Sequence, residues 1–226
     1  MGTLSVVATP IGNLGDVTLR ALETLKQCDL IACEDTRVSA KLLAKYDIKK
    51  PLLIFHARSG KLATERILAQ LADEKHVALV TDAGTPGISD PGSALIAEIR
   101  DRLGDSVRIE SVPGASALTA ALSIAGVPTD RFVFLGFLPH KKGRLTLFSE
   151  IRDEERTVVF YESPHRIEKA LASLAEVLPD DRTVTVVREL SKLHESLVQG
   201  SPREVALHYA THPAQVRGEF VVIVSR

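Results

Sequence analysis

Short runs of Val, Ile and Leu that recur between segments of helical periodicity constrain this chain more than any other feature it has. In the first half the runs fall at residues 4–8, 29–34, 52–55, 77–81 and 107–112. Runs this short match strands in length. The segments between them repeat their apolar residues three and four apart, as in Leu19, Leu22 and Leu25 and again in Ile67, Leu68 and Leu71. A strand facing solvent on one side alternates apolar and polar residues, whereas Val77-Ala78-Leu79-Val80 does not alternate at all. Such a strand is buried on both faces, which calls for helices above and below a largely parallel sheet.

The second half repeats the theme with a difference. Its runs lie at 132–137, 157–162, 183–190, Leu197-Val198 and 220–224, and some are joined without helices, which predicts a mixed or partly antiparallel sheet. Ser163-Pro164 and Ser201-Pro202 each offer an N-cap followed by Pro at the first helical position, and Glu204 completes a capping box with Ser201. A boundary near Val112-Pro113-Gly114 divides the chain into α/β domains 1–112 and 113–226. With no repeat, low-complexity tract or long linker, the two halves are expected to pack closely with a cleft between them.

Composition narrows the function classes. At 226 residues, 45% hydrophobic and 25% charged, the chain has material for a sizeable core without staples. Cys28 and Cys33 fit no metal-ligand spacing and read as small apolar residues around one strand, which suggests a reducing compartment. No apolar run approaches the roughly 20 residues of a membrane span, and Met1-Gly2-Thr3-Leu4 lacks the pattern of a signal peptide, so the expected location is cytoplasmic. The 28 Lys and Arg nearly balance 29 Asp and Glu, giving a formal charge of −1, so a polyanion could be met only by a local patch. The densest basic run is His140-Lys141-Lys142-Gly143-Arg144, a pattern that an ordinary solvated loop also shows.

Three loops follow strand ends, where open α/β sheets place their ligands. Thr9-Pro10-Ile11-Gly12-Asn13-Leu14-Gly15-Asp16 is a shaped turn without the G-x-G-x-x-G order of a dinucleotide site, and nothing in the chain matches a P-loop. Thr81-Asp82-Ala83-Gly84-Thr85-Pro86-Gly87-Ile88-Ser89-Asp90-Pro91-Gly92 follows the most apolar strand. Asp90 there can cap the next helix, but capping does not explain the other small residues, which suit a polar ligand lying against backbone. Val112-Pro113-Gly114-Ala115-Ser116-Ala117 opens an apolar helix whose first N–H groups can meet an acceptor, or it is an elbow between halves. Mixed charges stand at later strand ends in Phe160-Tyr161-Glu162-Ser163-Pro164-His165-Arg166 and Arg188-Glu189-Leu190-Ser191-Lys192-Leu193-His194-Glu195. No His or Cys set has zinc spacing, so no metal is expected.

Taken in order, these loops, together with Glu34-Asp35-Thr36-Arg37, resemble the tetrapyrrole methylases. Within them the chain is most similar to the branch that 2′-O-methylates a cytidine in small-subunit ribosomal RNA. The resemblance spans nearly the whole chain. It implies two α/β domains with S-adenosylmethionine in the cleft between them, and a homodimer. By position it assigns cofactor contacts to Pro10, Asp82, Ala83, Gly84, Thr85, Pro86, Ile88, Ser116 and Ala117, and to Tyr161, Leu190 and Gly218 in the second half. Two departures stand out. His56-Ala57-Arg58-Ser59 replaces the family's His-Glu-His-Asn-Glu-like stretch, and the chain stops at Arg226 where family members often continue into a small helical extension, so either RNA is held without that extension or the sequence given stops short of it.

The reaction so implied is attack of a ribose 2′-oxygen on the methyl carbon of a sulfonium, in which positioning is the protein's main task. Glu162, His165 and Glu189 are candidates for accepting the hydroxyl proton. Arg37, Arg166, Arg188 and Lys192 are candidates for phosphate contacts, as are Lys141, Lys142 and Arg144, on small-subunit ribosomal RNA or an assembled subunit. Two other classes share features of the sequence: a small-molecule tetrapyrrole methyltransferase, which would keep the fold and cofactor loops, and a non-catalytic RNA-binding assembly module, which need not keep the 81–92 loop.

Overall fold

The computed structural model describes residues 1–56, 59–139 and 143–226 and divides into two compact units, Met1–Ser116 and Ala117–Arg226. In the first unit the strands are β1 (Gly2–Val7), β2 (Leu30–Cys33), β3 (Leu52–Ile54), β4 (His76–Leu79) and β5 (Val107–Val112). They form one sheet in the order β3-β2-β4-β1-β5, parallel throughout. Period-two geometry then sends alternate residues of each strand to opposite faces. Val77 and Leu79 join one core with Leu4, Val6, Ile67, Leu71, Leu95 and Ile99, under α3 (Gly60–Ala72) and α4 (Gly92–Leu103). Ala78 and Val80 join the other with Val7, Leu25, Ile31 and Leu43, under α1 (Leu19–Gln27) and α2 (Thr36–Lys45). The unbroken apolar run is thus explained: each of its faces has a core to fill, and each fully buried Leu, Ile or Val contributes about 1.5–3 kcal/mol.

Cys28 and Cys33 are free and lie in the second of these cores, where burial raises both thiols, that of Cys28 to about 11. Leu19 departs from the periodic expectation. It is 80% exposed at the first position of α1, while Leu25 and Ala21 take the buried face, because Thr18 caps the helix and sets its rotation.

The second unit holds α5 (Ala117–Ala125), β6 (Phe132–Phe137), α6 (Arg144–Asp153), β7 (Thr157–Glu162), α7 (Ile167–Val177), β8 (Thr183–Arg188), β9 (Ser196–Gly200), α8 (Pro202–Thr211) and β10 (Phe220–Ser225). The sheet order is β6-β7-β10-β8-β9, with β6 and β7 parallel and the remaining pairs antiparallel, the mixed sheet expected from strands joined without helices. One face packs on α6, α7 and α8 through Phe148, Leu171, Tyr209 and Val222. The other packs on α5 through Ala121, Leu122, Val159 and Ile223. The capping box at Ser201 and Glu204 is formed. The cap expected at Ser163 is not: α7 starts at Ile167, and the Ser163 carbonyl instead accepts the N–H groups of Arg166 and Ile167, closing a turn ahead of the helix. Among the described residues no helix is long and apolar enough to cross a membrane.

Candidate active site

Strand order locates the site. From β1 the chain crosses to β2 on one side, and from β4 it crosses to β5 on the other, although β1 and β4 are neighbours. Adjacent strands whose connections leave in opposite directions open a crevice at their carboxyl ends, the usual ligand position in such sheets. The loops after β1, β4 and β5 meet there. Thr9 and Gly84 exchange backbone hydrogen bonds of 2.9 and 3.1 Å, forming an isolated bridge between the first two loops. The buried Thr9 hydroxyl donates to the Thr81 carbonyl at 3.0 Å, and Thr85 Oγ1 donates to the Ala115 carbonyl at 3.1 Å, which ties in the third. Ala8 N–H donates to Val112 O at 3.1 Å beneath them.

Glycine is required where these loops touch. Gly84 has φ +86°, and a Cβ there would lie 3.4 Å from Ile11 and 3.7 Å from the Ala115 carbonyl. Asp90 fastens the far end of the loop, its carboxylate accepting the N–H groups of Gly87 and Gly92 at 2.7–2.8 Å, so its capping role is played two residues ahead of the first helical residue, Gly92. What the stitching leaves outward is Asp82, Ala83 and Ile88, all exposed, with Pro10 and Pro86 buried behind them. Asp82 Oδ1 accepts the Asp35 N–H at 3.0 Å, and Thr81 Oγ1 donates to Glu34, so the Glu34-Asp35 segment is joined to this loop. Desolvation raises the Asp82 carboxyl above its ordinary range, with the Asp35 charge adding to the effect. Arg37 forks onto Asp35 at 2.6–3.1 Å, and that hydrogen bond holds Asp35 down to about 2. Ser116 ends the first unit and Ala117 begins α5.

In the second unit the assigned residues gather where β6, β7 and β8 end and β10 begins, but their charges face one another. Glu162 is fully buried. Arg166 Nη2 reaches it at 2.7 Å, Arg144 Nη1 at 3.5 Å, and Ser163 N–H donates to it at 2.8 Å. Arg144, expected on a basic loop open to phosphates, is instead buried: its guanidinium stacks 5.2 Å from the Phe148 ring centre and donates to Pro139 O. The counter-charge of Glu162 draws it inward. Lys192 bridges Glu189 and Glu219 at 2.9 Å each, and Arg188 donates to Ser196 Oγ and the His194 carbonyl. Burial opposes ionisation of Glu189, but the Lys192 hydrogen bond and the Glu219 N–H outweigh it and hold the carboxyl below its ordinary range. Glu189 and Ser191 both have positive φ, so this loop stores strain. Gly218, φ +89°, packs so closely on Glu189 that a Cβ would overlap the carboxylate.

Tyr161 stands edge-on to Phe134 and Phe137 at 5.0 and 5.5 Å, beside Leu190 in the same cluster, and burial raises its phenol above the ordinary range. His165 is exposed on the turn before α7. Lys141 and Lys142 lie outside the described residues, as do Ala57 and Arg58. The His56 N–H donates to Ser59 Oγ at 2.8 Å. Thr9 and Glu34 lie in segments that the sequence marks, but no role could be assigned to either side chain from the sequence. The one available signal was a hydroxyl at the end of an otherwise apolar strand.

Two α/β units with these sheets, and small-residue loops at the switch point of the first, define the class: residues 3–206 match the tetrapyrrole (corrin/porphyrin) methylase family. The uroporphyrin-III C-methyltransferase of Thermus thermophilus, solved in complex with S-adenosylhomocysteine, has the same fold at 20% identity, with TM-score 0.65 over 100% of this chain and 98% of that one. A ribosomal RNA small subunit methyltransferase I from Thermotoga maritima is 44% identical over 100% of this chain and 99% of its own length. One from Synechocystis is 45% identical over 100% of this chain and 79% of its own. The chain belongs to the ribosomal RNA small subunit methyltransferase I family.

Proposed function

We propose that the chain transfers a methyl group from S-adenosylmethionine to the 2′-oxygen of a cytidine in small-subunit ribosomal RNA, as a cytoplasmic homodimer. The observation that carries this reading is the stitched loop set at the β1/β4 switch point, in a chain of this family. The residues there suit the cofactor. Gly84 and Gly87 have positive φ and put no side chain over the loop, while the exposed Asp82 carboxylate offers a negative acceptor to a ligand bearing an ammonium and a sulfonium. Pro10, Asp82, Ala83, Gly84, Thr85, Pro86, Ile88, Ser116 and Ala117 are the contacts assigned from the first loops, and Tyr161, Leu190 and Gly218 those assigned from the second unit.

When bound, S-adenosylmethionine supplies a methyl group on a positively charged sulfur. The chain's own work is to hold the ribose oxygen in line with it at ~3–3.5 Å, and positioning of that kind contributes ~7–11 kcal/mol. A group that accepts the hydroxyl proton adds ~10²–10⁴-fold. Of the three candidates, Glu162 is enclosed by guanidinium groups and Glu189 is held by Lys192, so we assign the proton to an imidazole nitrogen of the exposed His165. Arg37, Lys141 and Lys142 are kept as phosphate contacts. Arg144, Arg166, Arg188 and Lys192 are engaged within the fold and are assigned to hold it.

The test is transfer of labelled methyl from S-adenosylmethionine to small ribosomal subunits that lack the modification, followed by digestion to nucleosides. Label in 2′-O-methylcytidine is the expected result. Label in a methylated base moves the reaction to another atom. Label in a tetrapyrrole offered in parallel, and none in RNA, makes the chain a small-molecule methyltransferase, and label in neither leaves a binding module.

A further inference from the structure

Helix α2 differs from the other charged helices among the described residues. Thr36-Arg37-Val38-Ser39-Ala40-Lys41-Leu42-Leu43-Ala44-Lys45 carries three cations and no carboxylate. Helices α1, α3, α4, α6, α7 and α8 each mix both signs, and α5 has no charge. Arg37, Lys41 and Lys45 are four residues apart, so each lies about 6 Å further along the axis and only about 40° further round it. All three are exposed, while Ser39, Leu42 and Leu43 face the core. Asp35 holds Arg37 at one end and Asp47 follows the other, but Lys41 and Lys45 have no ion-pair partner among the described residues.

This arrangement is unfavourable for the protein by itself. Like charges at i,i+4 repel, and although Asp35 offsets Arg37 in the first turn and the helix dipole favours Lys45 in the last, Lys41 stands between two cations with neither compensation. A chain with 29 carboxylates and a net charge of −1 has ample acids to place there. Beside a polyanion the same spacing becomes favourable, because flexible side chains about 6 Å apart can each neutralise a phosphate of a single strand. The stripe also begins at the candidate site: the Asp35 N–H that opens α2 is held by Asp82 in the cofactor loop.

We infer that the exposed face of α2 is a track for the RNA backbone, with Lys41 and Lys45 as phosphate contacts that guide the substrate strand to the methyl-transfer loops. The inference rests on the proposed function for the identity of the polyanion. It is tested on the full chain with a fluorescein-labelled single-stranded RNA, by anisotropy at several salt concentrations, alongside methyl transfer to small subunits. Losing both lysines in the Lys41→Ala, Lys45→Ala variant should lower the salt slope by about 1.4, at roughly 0.7 per phosphate contact on a single strand. Lys41→Glu places a carboxylate four residues from Arg37 and from Lys45. It should therefore keep or raise the melting temperature and keep the S-adenosylmethionine affinity, while weakening RNA binding at least tenfold. That opposite movement of stability and binding separates a track from a structural face. Wild-type RNA affinity and slope in both variants, no RNA binding by the wild type, or a change of oligomeric state in their place would overturn the inference. Wild-type RNA binding that these variants weaken, without methyl transfer to subunits, would leave the track standing and overturn the proposed function.

Discussion

The end of the first sheet where its parallel strands finish and the end of the second where β6, β7 and β8 finish both attract notice in the sequence, and they are built in opposite ways. The first is closed by backbone hydrogen bonds, Thr9 to Gly84 chief among them, so Asp82 and its small neighbours remain available to a ligand. The second is closed by side chains: Glu162 joins Arg144 and Arg166, and Lys192 joins Glu189 and Glu219. Charges clustered at strand ends are thus a poor guide to ligand contacts, since they can satisfy one another. A loop with little side chain to satisfy is a better one.

The contrast breaks first if the buried charges of the second unit prove dispensable. Glu162→Gln leaves two largely buried guanidinium groups without their counter-charge, and removing one partner of such a set costs about 3–5 kcal/mol. Urea unfolding should show a loss of that size, and a loss under about 1 kcal/mol would mean the triad is not what closes this end. A smaller loss is expected from Gly218→Ala. The new Cβ would overlap the Glu189 carboxylate at a positive φ, a strain of about 1–3 kcal/mol that should also loosen the Lys192 bridge. Equal midpoints for this variant and the wild type would show that the loop yields freely.

The smallest effect concerns pH. Glu189 is held below its ordinary range in the folded chain, so the stability it confers is fully present above the unfolded carboxyl value of about 4.3 and fades as pH falls through the lower folded value. Unfolding free energies of wild type and Glu189→Gln, measured from neutral pH downwards, should converge only at the acid end. A gap independent of pH would detach Glu189 from Lys192.

Both sheets were legible in the sequence, because the apolar runs of their inner strands fill one core on each face and strand length leaves little freedom. Helix starts were legible where the cap is local, as at Ser201 and Glu204, and not at Ser163, whose carbonyl is taken by the turn through Arg166. The loops of the first unit stood out through their own composition. The fate of Arg144 could not be read, because Glu162 is remote in sequence and only the fold brings a strand end against the start of α6. The Thr9 hydroxyl was hidden for the same reason, its acceptor lying on β4's loop.

The central claim is that the stitched, small-residue loop after β4 holds the cofactor. Calorimetric titration of S-adenosylmethionine into wild type and into Gly84→Val, below the melting transition of both, tests it most directly. Gly84 sits at φ +86° with Ile11 and Ala115 close by, so a β-branched side chain must push the loop out of shape. The account predicts binding by the wild type and at least a tenfold weaker affinity for the variant, with the second unit's melting behaviour unchanged. Equal affinities would contradict it.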